Sequence, residues 1–357
     1  MNVVFFIYNI SAVGGTERVA SVIINELAKR NYHIHVLGLY GDPEKIFFPF
    51  EPSVKVTSLH IEHLKGVKKV LYSTRKIREF VRNNHIDTFV TVESIMATYS
   101  VPALAMTGIK HVVWEHFNFK VNLGIAARSF ARQLALLFAD KIITLTARDI
   151  QFWKQGAWYR KAQLVHIPNP MFLEIRDVPA NPSRTVISVG RVTAQKGFDL
   201  LIDAWHEISE DDRTGWKLLV IGDGEETPML REKIAAYRLE SSVSLIGATK
   251  QVFAYFEDAS IYCLSSRFEG LPMVLLEALA FKLPIVAFDC DTGPEELVEQ
   301  GKNGLLVQPG NVPRLAEALA TLMRNDALRA EMRAYESQSI KLLNLPSIIQ
   351  QWQKIFE

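Results

Sequence analysis

The sequence predicts an α/β protein made of two doubly wound parallel sheets, and three observations carry that expectation. Short, β-branched apolar runs alternate with amphipathic helical stretches, as they do when strands are buried on both faces under helices. The alternation comes in two series, separated by the most proline-dense stretch of the chain, Ile167-Pro168-Asn169-Pro170 and then Pro179-Ala180-Asn181-Pro182-Ser183. The length of 357 residues exceeds one average domain. Residues 1–170 are therefore expected to form one domain, 171–183 a hinge and 184–345 a second domain. An amphipathic helix at 346–357 (Ile348, Ile349, Trp352, Ile355, Phe356) is expected to pack back on the first domain.

In the first series the strand-like runs fall at 2–8, 33–39, 54–59, 87–92, 110–114, 141–145 and 163–167. In the second they fall at 185–190, 217–221, 242–246, 260–264, 284–288 and 304–307. The opening run Val3-Val4-Phe5-Phe6-Ile7-Tyr8 has no basic segment before it and leads into glycines, so it reads as a buried first strand rather than a signal peptide. No run approaches the ~18 apolar residues of a membrane span. With 48% hydrophobic residues and a net charge of +1, the chain has ample material for a globular core. Cys263 and Cys290 lie in apolar strand-like contexts and imply neither a disulfide framework nor a metal site, so a cytoplasmic location is expected.

The charge is unevenly spread. Residues 1–175 carry 21 Lys and Arg against 13 Asp and Glu, and the remainder 19 against 26. Much of the basic excess lies between His63 and Arg82, in Lys65, Lys68, Lys69, Arg75, Lys76, Arg78 and Arg82. Val67, Val70, Leu71, Thr74, Ile77 and Val81 recur there at helical spacing. Two readings stand: a basic amphipathic helix resting on anionic lipid headgroups, or an ordinary solvated outer helix of the α/β layer. No nucleic-acid motif accompanies the patch, so nucleic acid is not an expected partner.

Open parallel sheets bind ligands beyond the carboxyl ends of their strands, and the chemistry-bearing motifs fall in those loops. Two such domains facing each other would bring the loops to one cleft. After the first strand, Gly14-Gly15-Thr16-Glu17-Arg18 opens a helix near Thr16, and paired glycines let backbone approach a phosphate or a sugar. The full dinucleotide spacing is missing. After the first strand of the second series, Gly190-Arg191-Val192-Thr193-Ala194-Gln195-Lys196-Gly197 places two cations on a strand-to-helix loop, suited to a diphosphate or simply solvated. Asp223 in Gly222-Asp223-Gly224 reads as a turn residue, and the loop beyond Ile246 lies where backbone could read a nucleobase.

The densest signal is Glu269-Gly270-Leu271-Pro272-Met273-Val274-Leu275-Leu276-Glu277, two carboxylates bracketing a loop-to-helix transition. Pro272 suits a helix start, whose free N–H groups attract phosphate, and the carboxylates could take sugar and ribose hydroxyls. The bland alternative is a capped core helix with incidental glutamates. His116, after the strand at 110–114, would project into the cleft, although a lone histidine is more often structural. Asp289-Cys290-Asp291-Thr292-Gly293-Pro294 superficially offers an Asp-x-Asp metal site, but no third ligand is evident and a turn before a helix at 295–300 is favoured. No metal is expected.

With these residues assembled, the chain resembles the retaining glycosyltransferase family 4, of the two-domain GT-B architecture. The match runs over nearly the whole length, through Gly14-Gly15-x-Glu17-Arg18, Gly190-Arg191-x4-Lys196-Gly197, Gly222-Asp223-Gly224, Glu269-x7-Glu277 and Asn303-Gly304-Leu305-Leu306-Val307. The resemblance implies that Arg191 and Lys196 hold a donor diphosphate, Glu277 the ribose and Glu269 the transferred sugar. His116 would lie beside that sugar, Gly15 would approach the phosphates or the acceptor, and Gly14, Thr16 and Glu17 would lie on the acceptor side. Ile246, Gly270, Leu271, Pro272 and Met273 would complete the donor site. It further implies retention by front-face attack, with no cofactor beyond the nucleotide sugar. Within the family the short chain and the Glu-Gly-Leu-Pro-Met form look like bacterial enzymes of surface-glycan synthesis. UDP-hexoses or UDP-N-acetylhexosamines would be the donors, with GDP-mannose next. A lipid-linked glycan or lipopolysaccharide would be the acceptor, at the inner face of the cytoplasmic membrane. A sugar-nucleotide epimerase of similar architecture, or a silent nucleotide-sugar-binding subunit, are the competing readings.

Overall fold

Each series of apolar runs forms its own parallel sheet. In the computed structural model, which describes residues 1–176 and 183–357, the chain divides into Met1–Pro170 with Leu345–Glu357, and Met171–Asn344. Of the hinge expected at 171–183, residues 177–182 lie outside the described residues.

The first unit runs β1 (Asn2–Asn9), α1 (Gly15–Ala28), β2 (His33–Tyr40), β3 (Lys55–Ser58), α2 (Gly66–Asn83), β4 (Thr88–Val92), α3 (Ala97–Leu104), β5 (Lys110–Trp114), α4 (Ala127–Phe138), β6 (Lys141–Thr144), α5 (Ala147–Gly156) and β7 (Gln163–His166). Its strands lie in the order β3-β2-β1-β4-β5-β6-β7, every neighbouring pair parallel. Val3 to Ile7 are all buried, so both faces of β1 are covered, which is why the strand reads as a continuous apolar run. The order reverses between β1 and β4.

The second unit runs β8 (Thr185–Val189), α6 (Phe198–Glu207), α7 (Glu210–Arg213), β9 (Lys217–Ile221), α8 (Thr227–Ala236), β10 (Val243–Gly247), α9 (Val252–Asp258), β11 (Ile261–Leu264), α10 (Met273–Ala280), β12 (Ile285–Phe288), α11 (Pro294–Leu297), β13 (Gly304–Val307), α12 (Val312–Arg324), α13 (Asp326–Ala334) and α14 (Gln338–Leu342). Here the order is β10-β9-β8-β11-β12-β13, again parallel, with the reversal between β8 and β11. The chain ends in the first unit with α15 (Leu345–Phe356). Its Trp352 ring lies 4.7 Å from Trp114 and 5.9 Å from Phe5. Lys110 and Lys141 donate to its last carbonyls, cations where the helix end is electronegative.

Three expectations gain local detail, and the helix expected at 295–300 is corrected. Pro272 is the N-cap of α10, with ψ 111°, so the helix begins one residue later at Met273. The helix expected at 295–300 is the single turn α11, Pro294–Leu297. In α2 only Ser73, Ile77 and Val81 are buried, while Val67 and Leu71 stand 74% and 66% exposed among the lysines of the first turns. The apolar stripe therefore faces the core only over its second half.

Candidate active site

The reversal in the second sheet lies between β8 and β11, and the loops leaving these two strands carry the predicted cations and carboxylates. After β8 the chain makes a short turn at Ala194–Lys196 and reaches Gly197, φ +62°, the N-cap of α6. Glycine is needed there twice over: the backbone is left-handed, and a Cβ would overlap the carbonyl of Ser265 in the loop after β11. The close approach places Lys196 Nζ 2.7 Å from Glu269 Oε1. The same oxygen accepts from Ser266 Oγ at 2.6 Å, and Glu269 is 6% exposed. Arg267 braces the two loops further, donating to both carboxylate oxygens of Asp199 at 2.8 and 2.7 Å and to the carbonyl of Ala194.

Thr292 Oγ1 donates to the Glu269 carbonyl at 2.6 Å, so Asp289–Pro294 supports the Glu269–Pro272 loop. Among the described residues no group of three His, Cys, Asp or Glu is placed to hold a metal. Beyond this loop α10 begins, its residues Leu275 to Ala280 all buried, and Glu277 sits at its fifth position, 5% exposed. Arg191 is exposed on the loop after β8. Asp223 accepts from Gly224 N and Thr227 Oγ1, both at 2.8 Å, and so shapes its turn. Gly222 N donates to Gly247 O at 2.9 Å, which ties the turn after β9 to the end of β10, where half-buried Ile246 lies. A cation, a carboxylate and a helix start thus gather at the carboxyl edge of this sheet, an arrangement able to hold an anion beside hydroxyl groups.

In the first unit, Gly14 is the N-cap of α1 and Gly15 its first residue, one position before the expected Thr16. Glu17 turns its carboxylate back over Gly14, with Oε2 2.6 Å from where a Cβ would stand. His116 follows β5, its ring centroid 4.4 Å from that of Trp114. Burial pushes its pKa down to about 3, so it presents a neutral imidazole, and its buried Nε2 has no hydrogen-bond partner.

A buried polar network that the motifs did not reveal holds the loop carrying His116. Glu115 accepts from the amides of His116 and Phe117 at 3.0 and 3.1 Å and from the Ser94 hydroxyl. Arg132 lies 3.6 Å from Glu115 and donates to the carbonyls of Phe119 and Val121 and to Asn122 Oδ1. Asp149 accepts from Phe119 N and Trp153 Nε1, and burial raises its pKa to about 7. Beside them Arg128 Nη2 lies 3.1 Å from Glu93 Oε2. The one sequence cue was an Arg pair, Arg128 and Arg132, at i and i+4 on a helix whose other turns are apolar. On α2, Arg78 donates to the carbonyls of Pro102, Ala103 and Ala105 and so caps α3, whereas Lys65, Lys68, Arg75 and Arg82 are exposed.

Both units match known family models: residues 13–174 that of Glycosyltransferase Family 4, and residues 173–339 that of Glycosyl transferases group 1. An uncharacterized glycosyltransferase of Haemophilus influenzae is 34% identical over 98% of each chain. The chain belongs to glycosyltransferase family 4. This glycosyltransferase is also 29% identical to the amylovoran biosynthesis glycosyltransferase AmsD of Erwinia amylovora, over 97% of each chain. It is 24% identical to a Campylobacter jejuni α-1,4-N-acetylgalactosaminyltransferase named for an undecaprenol-diphosphate-linked substrate, over 99% of this chain and 98% of that one. Among solved structures, the lipopolysaccharide galactosyltransferase WaaB superposes with TM-score 0.79 at 18% identity, over 99% of each chain. Anabaena HepE in complex with UDP-glucose gives TM-score 0.79 at 19% identity, over 99% of this chain and 98% of that one. These likenesses establish the GT-B fold.

Proposed function

We propose that this glycosyltransferase moves a hexose or N-acetylhexosamine, with retention, from a UDP-sugar to a lipid-linked oligosaccharide or lipopolysaccharide in bacterial surface-glycan synthesis. The observation that carries the donor half is the Lys196–Glu269 pair, 2.7 Å apart ahead of the α10 N-terminus. A nucleotide sugar needs a cation and N–H groups for the diphosphate and a carboxylate for sugar hydroxyls, and these are the groups present. Arg191, Lys196 and the helix start take the charge that develops on the leaving diphosphate, a role that in other enzymes falls to a metal. Glu277 takes the ribose and Glu269 the transferred sugar, with His116, a neutral polar group, assigned to that sugar as well. In the reaction the acceptor oxygen bonds to the anomeric carbon as the bond from that carbon to the phosphate oxygen breaks. The acceptor proton passes to the leaving phosphate.

The AmsD and Campylobacter relatives support a surface-glycan acceptor, and the HepE complex supports a UDP-sugar. No helix among the described residues is long and apolar enough to cross a membrane. Contact with the inner face of the cytoplasmic membrane is assigned to α2, where exposed Val67 and Leu71 stand among Lys65, Lys68 and Arg75. A thermal-shift screen of UDP-, GDP- and ADP-sugars tests the donor, because a ligand that binds the native state raises the melting temperature. A UDP-sugar should give the largest shift, with and without EDTA. A shift with GDP-sugars alone, or one abolished by EDTA, would overturn the donor or the metal-free assignment respectively.

A further inference from the structure

The carboxyl edge of the first sheet holds a second charged pair that the donor chemistry does not use. Glu93 is the first residue after β4 and Arg128 the second residue of α4, and their side chains are 17% and 8% exposed. Arg128 Nη2 lies 3.1 Å from Glu93 Oε2, while Nε and Nη1, both buried, have no hydrogen-bond partner in the protein. The guanidinium carbon stands 4.8 Å from the centre of the Phe117 ring, next in sequence to His116, and that ring fixes its plane. Glu93 itself is held at φ +67°, a backbone conformation that a residue with a Cβ adopts only when its surroundings impose it.

A buried guanidinium with unspent N–H donors costs stability unless a partner, water or ligand, meets them. The strain at Glu93 points the same way, since such residues cluster at binding sites. The pair also stands where the strand order reverses, between β1 and β4, which is where open sheets of this kind take ligands. Charge then selects the ligand. Arg128 is already matched by Glu93, and Glu17 and Glu115 add negative charge facing Glu93 from α1 and from the end of β5. Arg132 in turn lies 3.6 Å from Glu115, so both guanidiniums already face a carboxylate, and an anion would find neither unmatched.

We propose that Glu93 and Arg128 read the acceptor: a hydroxyl of an uncharged sugar ring donates to the Glu93 carboxylate and accepts from the Arg128 guanidinium. The site therefore excludes a phosphate or a uronic acid at that position. This rests on the transferase reading, with a sugar hydroxyl as acceptor. Burial, with Glu115 and Glu17 near, lifts the Glu93 carboxyl to about 7 against the pull of Arg128. Acceptor binding should thus weaken as the pH falls through 7 and the carboxylate loses its charge.

The test uses the full-length enzyme, its UDP-sugar donor, and two probe sets: neutral octyl glycosides of glucose, galactose, GlcNAc and GalNAc, and the corresponding glycosyl phosphates. Glu93→Gln and Arg128→Lys should each raise KM for the best octyl glycoside at least tenfold, with KM for the UDP-sugar within twofold of wild type. The rise in acceptor KM below pH 7 should disappear in Glu93→Gln. The melting temperature and the donor-induced thermal shift establish that each variant is folded, and Glu93→Asp, which keeps the charge, should recover part of the loss. Unchanged acceptor KM in folded variants, equal changes in both KM values, or preference for glycosyl phosphates overturns the assignment. Acceptor-free hydrolysis of the UDP-sugar by wild type checks the transferase reading separately. If wild type hydrolyses the donor but uses no octyl glycoside, the neutral-sugar site falls while that reading stands.

Discussion

Lys196→Ala is the variant that separates holding the fold from doing the chemistry. The ammonium is 2.7 Å from Glu269 Oε1, with the two side chains 19% and 7% exposed. Breaking a fully buried pair costs ~3–5 kcal/mol, because the remaining charge is stranded. An exposed pair is worth ~0–1 kcal/mol. With Lys196 one-fifth exposed and Ser266 still donating to the orphaned carboxylate, the loss should be about 2 kcal/mol. The kinetic effect should be larger: removing a group aimed at charge developing in the transition state costs ~100- to 1000-fold in kcat. Adding Glu269→Ala removes the stranded charge, so the double variant should recover about 1 kcal/mol of stability relative to Lys196→Ala. It should recover no turnover. Urea unfolding gives the stabilities, and transfer from a labelled UDP-sugar at saturating donor gives kcat. Full transfer by Lys196→Ala, or turnover that returns with stability in the double variant, would refute the role assigned to the lysine.

Three further outcomes are expected. Gly197→Ala should cost more than ~2 kcal/mol by urea unfolding, since the left-handed backbone is strained for alanine and its Cβ meets the Ser265 carbonyl; a loss below half of that would show that the two loops can move apart. Burial lowers the His111 pKa to about 4, so between pH 6.5 and 4 the unfolded chain takes up a proton that the folded chain refuses. The stability carried by neutral His111 is then fully present above pH 6.5 and lost as the pH falls to 4, an effect of order 3 kcal/mol. In urea titrations the advantage of wild type over His111→Gln, whose amide can still reach Thr91, should shrink over that window, and parallel curves would sink the argument. Co-sedimentation with vesicles of anionic lipid should fall several-fold on neutralising Lys65, Lys68 and Arg75, and in raised salt; binding indifferent to both would remove α2 from the membrane face.

The fold was legible because parallel strands buried on both faces must be apolar runs, and each predicted run is a strand to within a residue or two at its ends. Boundaries were less legible where backbone conformation decides them. Pro272 has the fixed φ of a helical first residue, but its extended ψ makes it the cap, and nothing in the residue types announces that. The same limit applies to α2. Its hydrophobic spacing runs unbroken from Val67 to Val81, yet only Ser73, Ile77 and Val81 are fully buried, with half-buried Phe80 packed against the same core, because where a neighbouring layer ends is a fact of topology.

The site divides along the same line. Lys196 and Glu269 could be named because each sits in a glycine-marked loop after a strand, whereas Glu93 and Arg128 are 35 residues apart and look like solvated charges until strand order brings them together. The family resemblance also implies separate jobs for Lys196 and Glu269, diphosphate and sugar. The structure binds one to the other, and this does not spend the cation. An ammonium has three N–H donors, and Glu269 needs one of them, so two remain for the phosphate oxygens of the proposed donor. The carboxylate meanwhile holds the four-carbon stem, whose freedom would otherwise cost entropy whenever the diphosphate had to be met. On this account Glu269 positions the lysine as well as meeting the sugar. Glu269→Ala should therefore weaken binding of UDP itself, which has no sugar for a carboxylate to reach, and unchanged UDP affinity by calorimetry would confine Glu269 to the sugar.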